Sequence, residues 1–325
     1  MPLYKKKVSA IIPCYNDALA IPVMHERLTK VFTEIGSPYE IIFVNDGSPD
    51  NSEQVLRTLA AKDPHVIVVI HSRNFSSQNA FVSGMTVATG DAVVLLDGDL
   101  QDPPEMIKQF VEKWTEGFDI VYGIREKREA SFFLQVAYKL FYRIFSKLSY
   151  IKIPRDAGDF SLISRKVVDV LLAMPERDIF VRGMRAWVGF KQIGIPYHRP
   201  ERMFGQTTNN LLKNVRWAKK GIFSFSYEPL ELIFYLAFIV SMVALLAIVV
   251  YIALYLIYPD QPKGINTLIV LALFFGSVQL VSLSIIGEYL GRIFEEVKGR
   301  PKFIVKEILN DPRKRGDGEK VSSDS

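Results

Sequence analysis

The sequence predicts an α/β fold, a parallel-rich sheet flanked by helices, followed by two helices that cross a membrane. In the first hundred residues, short apolar runs alternate with helical patterns, as in chains that build parallel sheets. Towards the C-terminus, residues 232–258 and 265–287 hold no formal charge over 27 and 23 residues. Both segments exceed the roughly 20 residues that a helix needs to cross a bilayer.

The composition excludes several classes of protein. Of 325 residues, 49% are hydrophobic and 23% are charged, and 40 basic against 35 acidic side chains give a formal net charge of +5. A disordered chain would have fewer apolar residues and a larger charge excess. The single Cys14 excludes a disulfide within the chain, and so mild a charge does not indicate a nucleic-acid partner.

Four apolar runs bounded by turn-forming residues predict the first strands in order. They are residues 8–12, 39–44, 66–70 and 92–96. The intervening helices are predicted to end at Gly36, to begin at Asn51 or Ser52, and to cover residues 78–89. Parallel sheets bind ligands beyond the carboxyl ends of their strands. The polar residues expected at that edge are Asn16, Asp17, Asp46, Asp97 and Asp99.

The turn Asp97-Gly98-Asp99 places two carboxylates directly after the fourth strand. Mg²⁺ commonly binds one or two carboxylates together with substrate phosphates, and such an ion neutralises a diphosphate leaving group. Asp-Gly is also a common turn former, so a purely structural turn is the alternative. Acidic groups expected at three neighbouring strand ends favour the metal site.

The two uncharged segments are joined by a short polar turn and predict a membrane hairpin. Basic residues lie outside both ends of the hairpin, whereas the turn holds only Lys263. The positive-inside rule therefore places both termini in the cytoplasm, and no signal peptide is expected. The predicted domains are a cytosolic domain at residues 1–228, the hairpin at 229–290, and a cytosolic segment at 291–325 that is disordered from about 310.

Two basic segments rich in aromatic residues, about 131–150 and 211–225, predict amphipathic helices at the membrane interface. Residues 130–155 contain no acidic side chain, and Lys139 and Arg143 lie on one side of the helical pattern. A helix that packs against the core is the alternative for the first segment. Four histidines show no ligand spacing and are interpreted as structural or surface residues: His25, His65, His71 and His198.

Three segments in order resemble the motifs of glycosyltransferase family 2: residues 8–16 (VSAIIPCYN), 44–48 (VNDGS) and 96–105 (LDGDLQDPPE). With the hairpin, nearly the whole chain is similar to the polyprenyl-phosphate glycosyltransferases. These include dolichol-phosphate mannose synthases and the bacterial GtrB and ArnC types. The resemblance implies a GT-A (Rossmann-like) fold, and the two-span tail points to the GtrB-like undecaprenyl-phosphate glucosyltransferases.

The resemblance also implies binding residues. For the nucleotide sugar they are Pro13, Tyr15, Asn16, Asp17, Asp46, Asp97 and Arg202. For a divalent metal, Mg²⁺ or Mn²⁺, they are Asp97, Asp99 and Gln101. Two positions depart from the family pattern. Asp17 stands where many members have Glu, and Thr208 stands where the family has Lys.

Residues for the acceptor and for catalysis follow. The candidates for binding the acceptor phosphate include Arg125 and Arg128, which match the positions of such residues in the family. Lys139 and Arg143 are further candidates because they lie on the predicted basic helix, where they would bind lipid headgroups equally well. The catalytic candidates are Asp99, Asp102 and Asp156, the last from its match to an Asp-x-Gly-x-Phe segment. Helix capping is the alternative for Asp102 and for Asp159, since Asp is a frequent cap.

These observations predict an inverting, metal-dependent transfer of a hexose to undecaprenyl phosphate at the cytoplasmic leaflet of a bacterial inner membrane, for modification of cell-surface glycans. UDP-glucose is the favoured donor, and GDP-mannose, UDP-N-acetylglucosamine or a modified arabinose donor are alternatives. Other readings are a processive polysaccharide synthase, a soluble peripheral enzyme and a non-catalytic membrane scaffold that binds sugar. The sequence does not decide the oligomeric state, and a homo-oligomer is one option.

Overall fold

The structure, a computed structural model, describes residues 6–125, 157–200, 226–257 and 264–315. These residues form two compact units. The first, here called the sheet unit, contains residues 6–125, 157–200 and 300–315. The second, here called the helical unit, contains residues 226–257 and 264–299.

The sheet unit is built on one mixed sheet of eight strands. They are β1 (Val8–Cys14), β2 (Tyr39–Asn45), β3 (Val66–His71), β4 (Ala92–Leu95), β5 (Ile120–Arg125), β6 (Ala157–Ser164), β7 (Gln192–Tyr197) and β8 (Val305–Leu309). Their order across the sheet is β7-β5-β6-β4-β1-β2-β3-β8. Neighbours are parallel except at β4–β6, β5–β6 and β3–β8. The predicted α/β class and the first four strands are confirmed.

Helices cover both faces of this sheet. They are α1 (Ala20–Ile35), α2 (Ser52–Lys62), α3 (Ser77–Val87), α4 (Ile107–Thr115), α5 (Arg165–Ala173), α6 (Val181–Trp187) and the short α9 (Pro312–Arg315). The first three strands are buried over nearly their whole length, as expected for strands covered on both faces. The predicted end of α1 is confirmed, because Gly36 adopts a left-handed φ of 71° and its N–H donates to the carbonyl of Phe32.

Strand β6 brings a second set of residues to the edge where the parallel strands end. It runs antiparallel to β4, with Leu95 opposite Ser161. The first residues of β6 therefore extend beyond the end of β4, beside the turn at Asp97. On the far side of β6, Arg125 ends β5 opposite Tyr197 at the end of β7. Residues from both halves of the described sheet unit thus meet at one edge.

The outermost strand, β8, follows the apolar helices in the chain and was not predicted. It pairs antiparallel to β3, with Leu309 opposite Val68. Arg57 on α2 contacts Glu307 at 2.5 Å, and the Asn310 side chain donates to two backbone carbonyls of the sheet unit at 2.7 and 2.8 Å. These contacts fasten the C-terminal segment to the sheet.

The helical unit consists of α7 (Glu228–Ile257) and α8 (Ile265–Val297). Within them, Glu228–Leu254 and Leu268–Val297 are long and apolar enough to cross a membrane, and their large apolar side chains are mostly exposed. This exposure indicates membrane association. Helix α8 continues ten residues beyond the predicted span, through a charged segment in which Arg292 and Glu288 form an ion pair one turn apart.

Candidate active site

The candidate site lies at the carboxyl edge of the sheet unit. Residues after β1, β2 and β4 meet there the first residues of β6 and the ends of β5 and β7. This is the position at which open α/β sheets bind ligands. The structure thus brings together the three acidic turns predicted from the sequence.

The turn after β1 is held by its own polar groups. Asn16 adopts a φ of 61°, which is uncommon for a residue other than glycine, and its N–H donates to Ser48 Oγ at 2.8 Å. Asp17 Oδ2 accepts the N–H of Tyr15 at 3.0 Å. The side chain of Tyr15 is left 47% exposed at the edge of the sheet. The turn is therefore fixed while an aromatic ring remains accessible to a ligand.

Asp46 follows β2 and is buried. Its Oδ1 accepts hydrogen bonds from His71 Nδ1 at 2.9 Å and from the N–H of Phe75 at 2.7 Å. Gly47, at a φ of 63°, packs so closely on the next loop that a Cβ would lie 2.5 Å from the carbonyl carbon of Arg73. The loops after β2 and β3 are thereby locked together around Asp46.

The turn after β4 packs against the turn after β1. A Cβ on Gly98 would lie 2.6 Å from the carbonyl oxygen of Pro13 and 3.2 Å from the Asp17 carboxylate, so glycine is needed there. Leu100 adopts a φ of 60°, and Asp99 Oδ1 accepts the N–H of Gln101 at 3.1 Å. A strained backbone of this kind is typical of functional turns.

Several carboxylates lie close together around this turn. Burial and the neighbouring carboxylates, Asp102 foremost, raise the pKa of Asp97 to about 8. Arg199 lies beside both carboxylates of the turn, with Nη2 at 4.0 Å from Asp97 Oδ2 and 3.8 Å from Asp99 Oδ2, and the charge of Arg125 also acts to lower the pKa of Asp97. Both carboxylates therefore face the Arg199 guanidinium.

This arrangement fits a hard divalent cation. Carboxylate oxygens are suitable ligands, and Mg²⁺ or Mn²⁺ takes its remaining ligands from water and substrate phosphates. In the part of the chain that the structure describes, no group of three or more His, Cys, Asp or Glu side chains forms a closed metal cage. The open pair of carboxylates suits an ion that arrives together with a phosphate ligand.

Asp102 does not cap a helix, so that alternative is wrong. Pro103 precedes the helical turn Pro104–Met106, and no side chain caps it. Asp102 is instead fully buried and accepts the hydroxyl of Tyr197 at 2.7 Å. The Arg125 Nε donates to the same Tyr197 oxygen at 3.4 Å. Burial raises the pKa values of both Asp102 and Tyr197.

A second buried cluster surrounds Asp159, which lies within β6 and caps no helix. Arg182 contacts Asp159 at 3.2 Å, and Gln78 Nε2 donates to it at 3.0 Å. Burial alone would raise the pKa of Asp159, but the charge of Arg182 lowers it overall. The fully buried Arg185 donates to the carbonyl of Gly158 at 3.2 Å, and burial lowers its pKa to about 10. These groups fix the start of β6.

Comparison with known proteins identifies the family. The model of glycosyl transferase family 2 matches residues 9–172, about half of the chain. The matched segment includes β2, β3 and β4 and nearly all of β1. The chain belongs to glycosyl transferase family 2. It is a glycosyltransferase with the GT-A fold that the motifs led us to expect.

Two relatives and one solved structure are similar to this glycosyltransferase. The uncharacterized glycosyltransferase YkcC of Bacillus subtilis (strain 168) is 41% identical over 94% of this chain and 95% of its own length. The bactoprenol glucosyl transferase of Shigella phage SfII is 39% identical over 92% and 97%. The crystal structure of mannosyl-3-phosphoglycerate synthase from Rubrobacter xylanophilus has a TM-score of 0.49 at 15% identity, covering 66% of this chain and 71% of that one. The last similarity is too distant to inform the site.

The glycosyltransferase site contains residues that the sequence analysis did not identify: Gln78, Arg182, Arg185, Tyr197 and Arg199. His71, interpreted as structural or surface, is buried against Asp46. No local motif marks the first five of these residues, and four of the five lie beyond the segment that the family model matches. Several predicted residues fall outside the described part of the chain: Arg128, Lys139, Arg143, Asp156, Arg202 and Thr208, with the helices predicted at about 131–150 and 211–225.

Proposed function

We propose that this glycosyltransferase transfers a hexose from a nucleotide sugar to a polyprenyl phosphate, with inversion at the anomeric carbon. The observation that carries the proposal is the pair of carboxylates at Asp97 and Asp99, which face one cationic position at the carboxyl edge of the sheet. The acceptor is proposed from the bactoprenol glucosyl transferase that is 39% identical over 92% of the chain. By the same likeness, glucose from UDP-glucose is the favoured donor.

The nucleotide is proposed to bind at the turns after β1 and β2. The exposed ring of Tyr15 offers a stacking surface for a base, and the backbone of Pro13 and Asn16 lines the same turn. Asp46 presents a carboxylate oxygen to a ribose hydroxyl. Asp17, which bonds back to its own turn, is proposed to hold the shape of this binding site.

The diphosphate is proposed to bind next to the turn after β4. Asp97 and Asp99, with Gln101, would hold a divalent ion, which supplies positive charge to the diphosphate leaving group when bound. Arg199 already faces both carboxylates and lies within reach of the same phosphates. Arg202, three residues further along the chain, is proposed to contact the diphosphate as well.

The acceptor phosphate is proposed to approach from the side of β5 and β6. Arg125 lies at this edge, with one guanidinium nitrogen close to the backbone of Gly158. Arg128, Lys139 and Arg143 are proposed to extend this basic surface towards the lipid. Guanidinium groups bind phosphate with two parallel hydrogen bonds, which orients the acceptor as well as neutralising it.

In the proposed reaction, an oxygen of the acceptor phosphate forms a bond to the anomeric carbon while the bond from that carbon to the nucleoside diphosphate breaks. A phosphate monoester with a second pKa near about 6 is mostly dianionic at neutral pH, so no general base is required. Asp156 is proposed to orient the acceptor or a sugar hydroxyl. Asp102 is buried and bonded to Tyr197, which supports a positioning role rather than contact with substrate.

The apolar helices are proposed to hold the enzyme in a bacterial inner membrane. The hairpin at residues 229–290 would anchor the domain at residues 1–228, with interfacial helices at about 131–150 and 211–225. Basic residues outside both ends of the hairpin support a cytoplasmic location for both termini and for the site. The lipid phosphate would then be met at the cytoplasmic leaflet.

The test is to incubate the purified full chain, in detergent, with radiolabelled UDP-glucose, UDP-N-acetylglucosamine and GDP-mannose in parallel, each with undecaprenyl phosphate. We expect one lipid-linked product that mild acid cleaves to free sugar. The anomeric configuration, read by NMR on the intact product, should be inverted relative to the donor. Undecaprenol, which lacks the phosphate, is the matched acceptor control and should give no product. EDTA should stop the reaction, and Mg²⁺ or Mn²⁺ should restore it.

The results separate the parts of the proposal. Absence of lipid-linked product from every donor would overturn the assigned function. Activity that survives EDTA would contradict the proposed need for a metal ion. Retention of the anomeric configuration would contradict direct displacement by the acceptor. A product from GDP-mannose alone would replace the proposed donor while leaving the acceptor and reaction type in place.

A further inference from the structure

His71 occupies an unusual position at the end of β3, between the donor site and the C-terminal segment. It is buried, and its Nδ1 lies 2.9 Å from Asp46 Oδ1. On its other side, the ring of Phe303 stacks against it with centroids 5.6 Å apart and planes 11° apart. Phe75 meets the imidazole edge-on at 5.6 Å. One imidazole therefore connects Asp46 to the residues that lead into β8.

The hydrogen bonds of Asp46 are arranged on one side only. Among described residues, His71 Nδ1 and the N–H of Phe75 both donate to Oδ1, and none donates to Oδ2. A carboxylate only accepts, so Nδ1 carries the hydrogen and the imidazole acts as a donor to Asp46. The two donors fix the plane of the carboxylate and leave Oδ2 for a ligand.

The second ring nitrogen of His71, Nε2, makes no hydrogen bond with the described residues that would fix the side of the ring remote from Asp46. His71 Nε2 is buried and has no hydrogen-bond partner in the described part of the chain. The orientation of the imidazole therefore depends on the two flanking aromatic rings. Phe75 belongs to the loop that itself donates to Asp46, whereas Phe303 comes from far along the sequence.

The position of Phe303 is set by β8. The carbonyl of Ile304 accepts the N–H of Ser72 at 3.0 Å, and Val305 lies opposite His71 in the antiparallel pairing. Glu307 is fastened by Arg57 on α2. Phe303 thus lies on a segment that is fixed to the sheet at several points, and it cannot leave His71 without disrupting the start of β8.

We propose that His71 and Phe303 are positioning residues for the nucleotide site, which makes the segment after the second apolar helix a part of donor recognition. His71 acts through Asp46, whose Oδ2 it aims at the nucleoside, and Phe303 acts through His71. The inference rests on the proposed function in assigning the nucleoside to Asp46. It predicts a specific loss of donor affinity, which mere packing of the core would not produce.

The test compares matched variants of the full chain in detergent. His71→Phe keeps an aromatic ring of similar size but removes the donor, whereas His71→Asn keeps an N–H near the position of Nδ1. We expect His71→Phe to weaken binding of UDP, measured by calorimetry, about tenfold, because it removes one of the two donors that orient the buried Asp46 carboxylate. The KM for UDP-glucose should rise in parallel with little change in kcat. His71→Asn should restore most of the affinity.

Phe303 and a second histidine complete the design. Phe303→Leu should weaken UDP binding in the same direction by a smaller factor, and Phe303→Tyr should not. His65 is the control, because its Nδ1 lies 3.0 Å from Asp63 Oδ1 and its ring stacks on Tyr39, but it lies at the opposite end of β3. His65→Phe should leave UDP affinity unchanged.

The outcomes distinguish this inference from the proposed function. Unchanged UDP affinity in His71→Phe, in a protein that transfers sugar to lipid, overturns the positioning role alone. Weakened affinity in a protein that makes no lipid-linked product supports the positioning role and overturns the function. Equal losses in His71→Phe and His71→Asn, or in His65→Phe, would identify a general packing effect and overturn the inference. A wild-type chain that binds neither UDP nor GDP overturns both.

Discussion

Two carboxyl groups on opposite edges of the same sheet have opposite electrostatic surroundings. At the amino edge, Glu40 is buried and accepts hydrogen bonds from Ser9 Oγ at 2.6 Å and from the N–H and hydroxyl of Thr89 at 2.7 and 3.0 Å. Lys7 lies 2.5 Å away. Burial would raise the pKa of Glu40, but these bonds, that of Lys7 foremost, lower it overall.

At the carboxyl edge, Asp97 has almost no such compensation. Among the described residues, Arg199 lies 4.0 Å from it and the charge of Arg125 acts to lower its pKa, but burial and the carboxylates of Asp102, Asp159 and Asp99 raise that pKa to about 8. The sheet therefore has a satisfied edge, where the Glu40 carboxylate is paired and hydrogen-bonded, and an unsatisfied edge, where neighbouring carboxyl groups disfavour the ionised form of Asp97. A cluster of this kind is expected where a cationic ligand completes the site.

The largest effect is expected from breaking the unsatisfied edge at Asp99. Asp99→Asn should lower sugar transfer by about a hundredfold or more, because it removes a charged ligand for the proposed ion that would neutralise the leaving group. Turnover of lipid-linked product at saturating donor measures it. Asp91→Asn, an exposed carboxyl at the opposite edge, should keep near wild-type turnover, and equal losses in both variants would contradict the division between the edges.

At the satisfied edge, a substitution should change the stability of the protein rather than its sugar transfer. Glu40→Gln should lower the free energy of unfolding by about 2 kcal/mol, because it removes the ion pair with Lys7 and leaves buried hydrogen-bonding groups mismatched. The thermal unfolding midpoint of the full chain in detergent, at a fixed scan rate, measures it. Glu112→Gln, on an exposed face of α4, is the control. A midpoint for Glu40→Gln equal to that of the control would mean that the network adds no net stability.

A neutral side chain at the unsatisfied edge should raise stability, whereas Glu40→Gln at the satisfied edge should lower it. Asp97→Asn should raise the unfolding midpoint by roughly 2–4 °C in the presence of EDTA, because it relieves repulsion worth about 1 kcal/mol among neighbouring carboxylates. Asp169→Asn, an exposed residue on α5, controls for the loss of any one carboxylate. A lower midpoint for Asp97→Asn would show that this turn is structural, and would remove the contrast between the edges.

The smallest expected effect is the pH dependence of the stability that Glu40 contributes. The folded pKa of Glu40 lies below its ordinary value, so its contribution is present above the unfolded pKa of about 4.3 and is lost as the pH falls through the folded pKa. The difference in midpoint between wild type and Glu40→Gln should therefore be constant from pH 8 to pH 6 and should shrink towards pH 4. A difference that grows on acidification would contradict the assignment.

Local patterns predicted much of this molecule. Apolar runs bounded by turn formers marked the first four strands, and the uncharged segments marked both long helices, because burial on two faces or in lipid demands continuous apolar sequence. The acidic turn at Asp97 was predicted as a site for a different reason, because a parallel-rich sheet brings the carboxyl ends of its strands together. The resemblance to a known family then supplied roles that spacing alone does not give.

The remaining site residues depend on long-range pairing. Tyr197 reaches Asp102 only because β7 pairs with β5, and the antiparallel direction of β6 is not encoded in its apolar pattern. The strand β8 escaped prediction because it is short, carries Lys306 and Glu307, and follows the apolar helices. His71 was assigned no role because its partners, Asp46 and Phe303, lie far from it in sequence.

The location of β8 has a consequence for biosynthesis. Chains are made from the N-terminus at roughly 5–20 residues per second, so β1 to β7 and both apolar helices are synthesised before Val305–Leu309. Until then the outer edge of β3 is unpaired and Phe303 is absent from His71. A chain that stops early, or whose apolar helices are not accommodated, would therefore lack a finished donor site. With the proposed roles of His71 and Phe303, completion of synthesis would be the step that finishes the donor site.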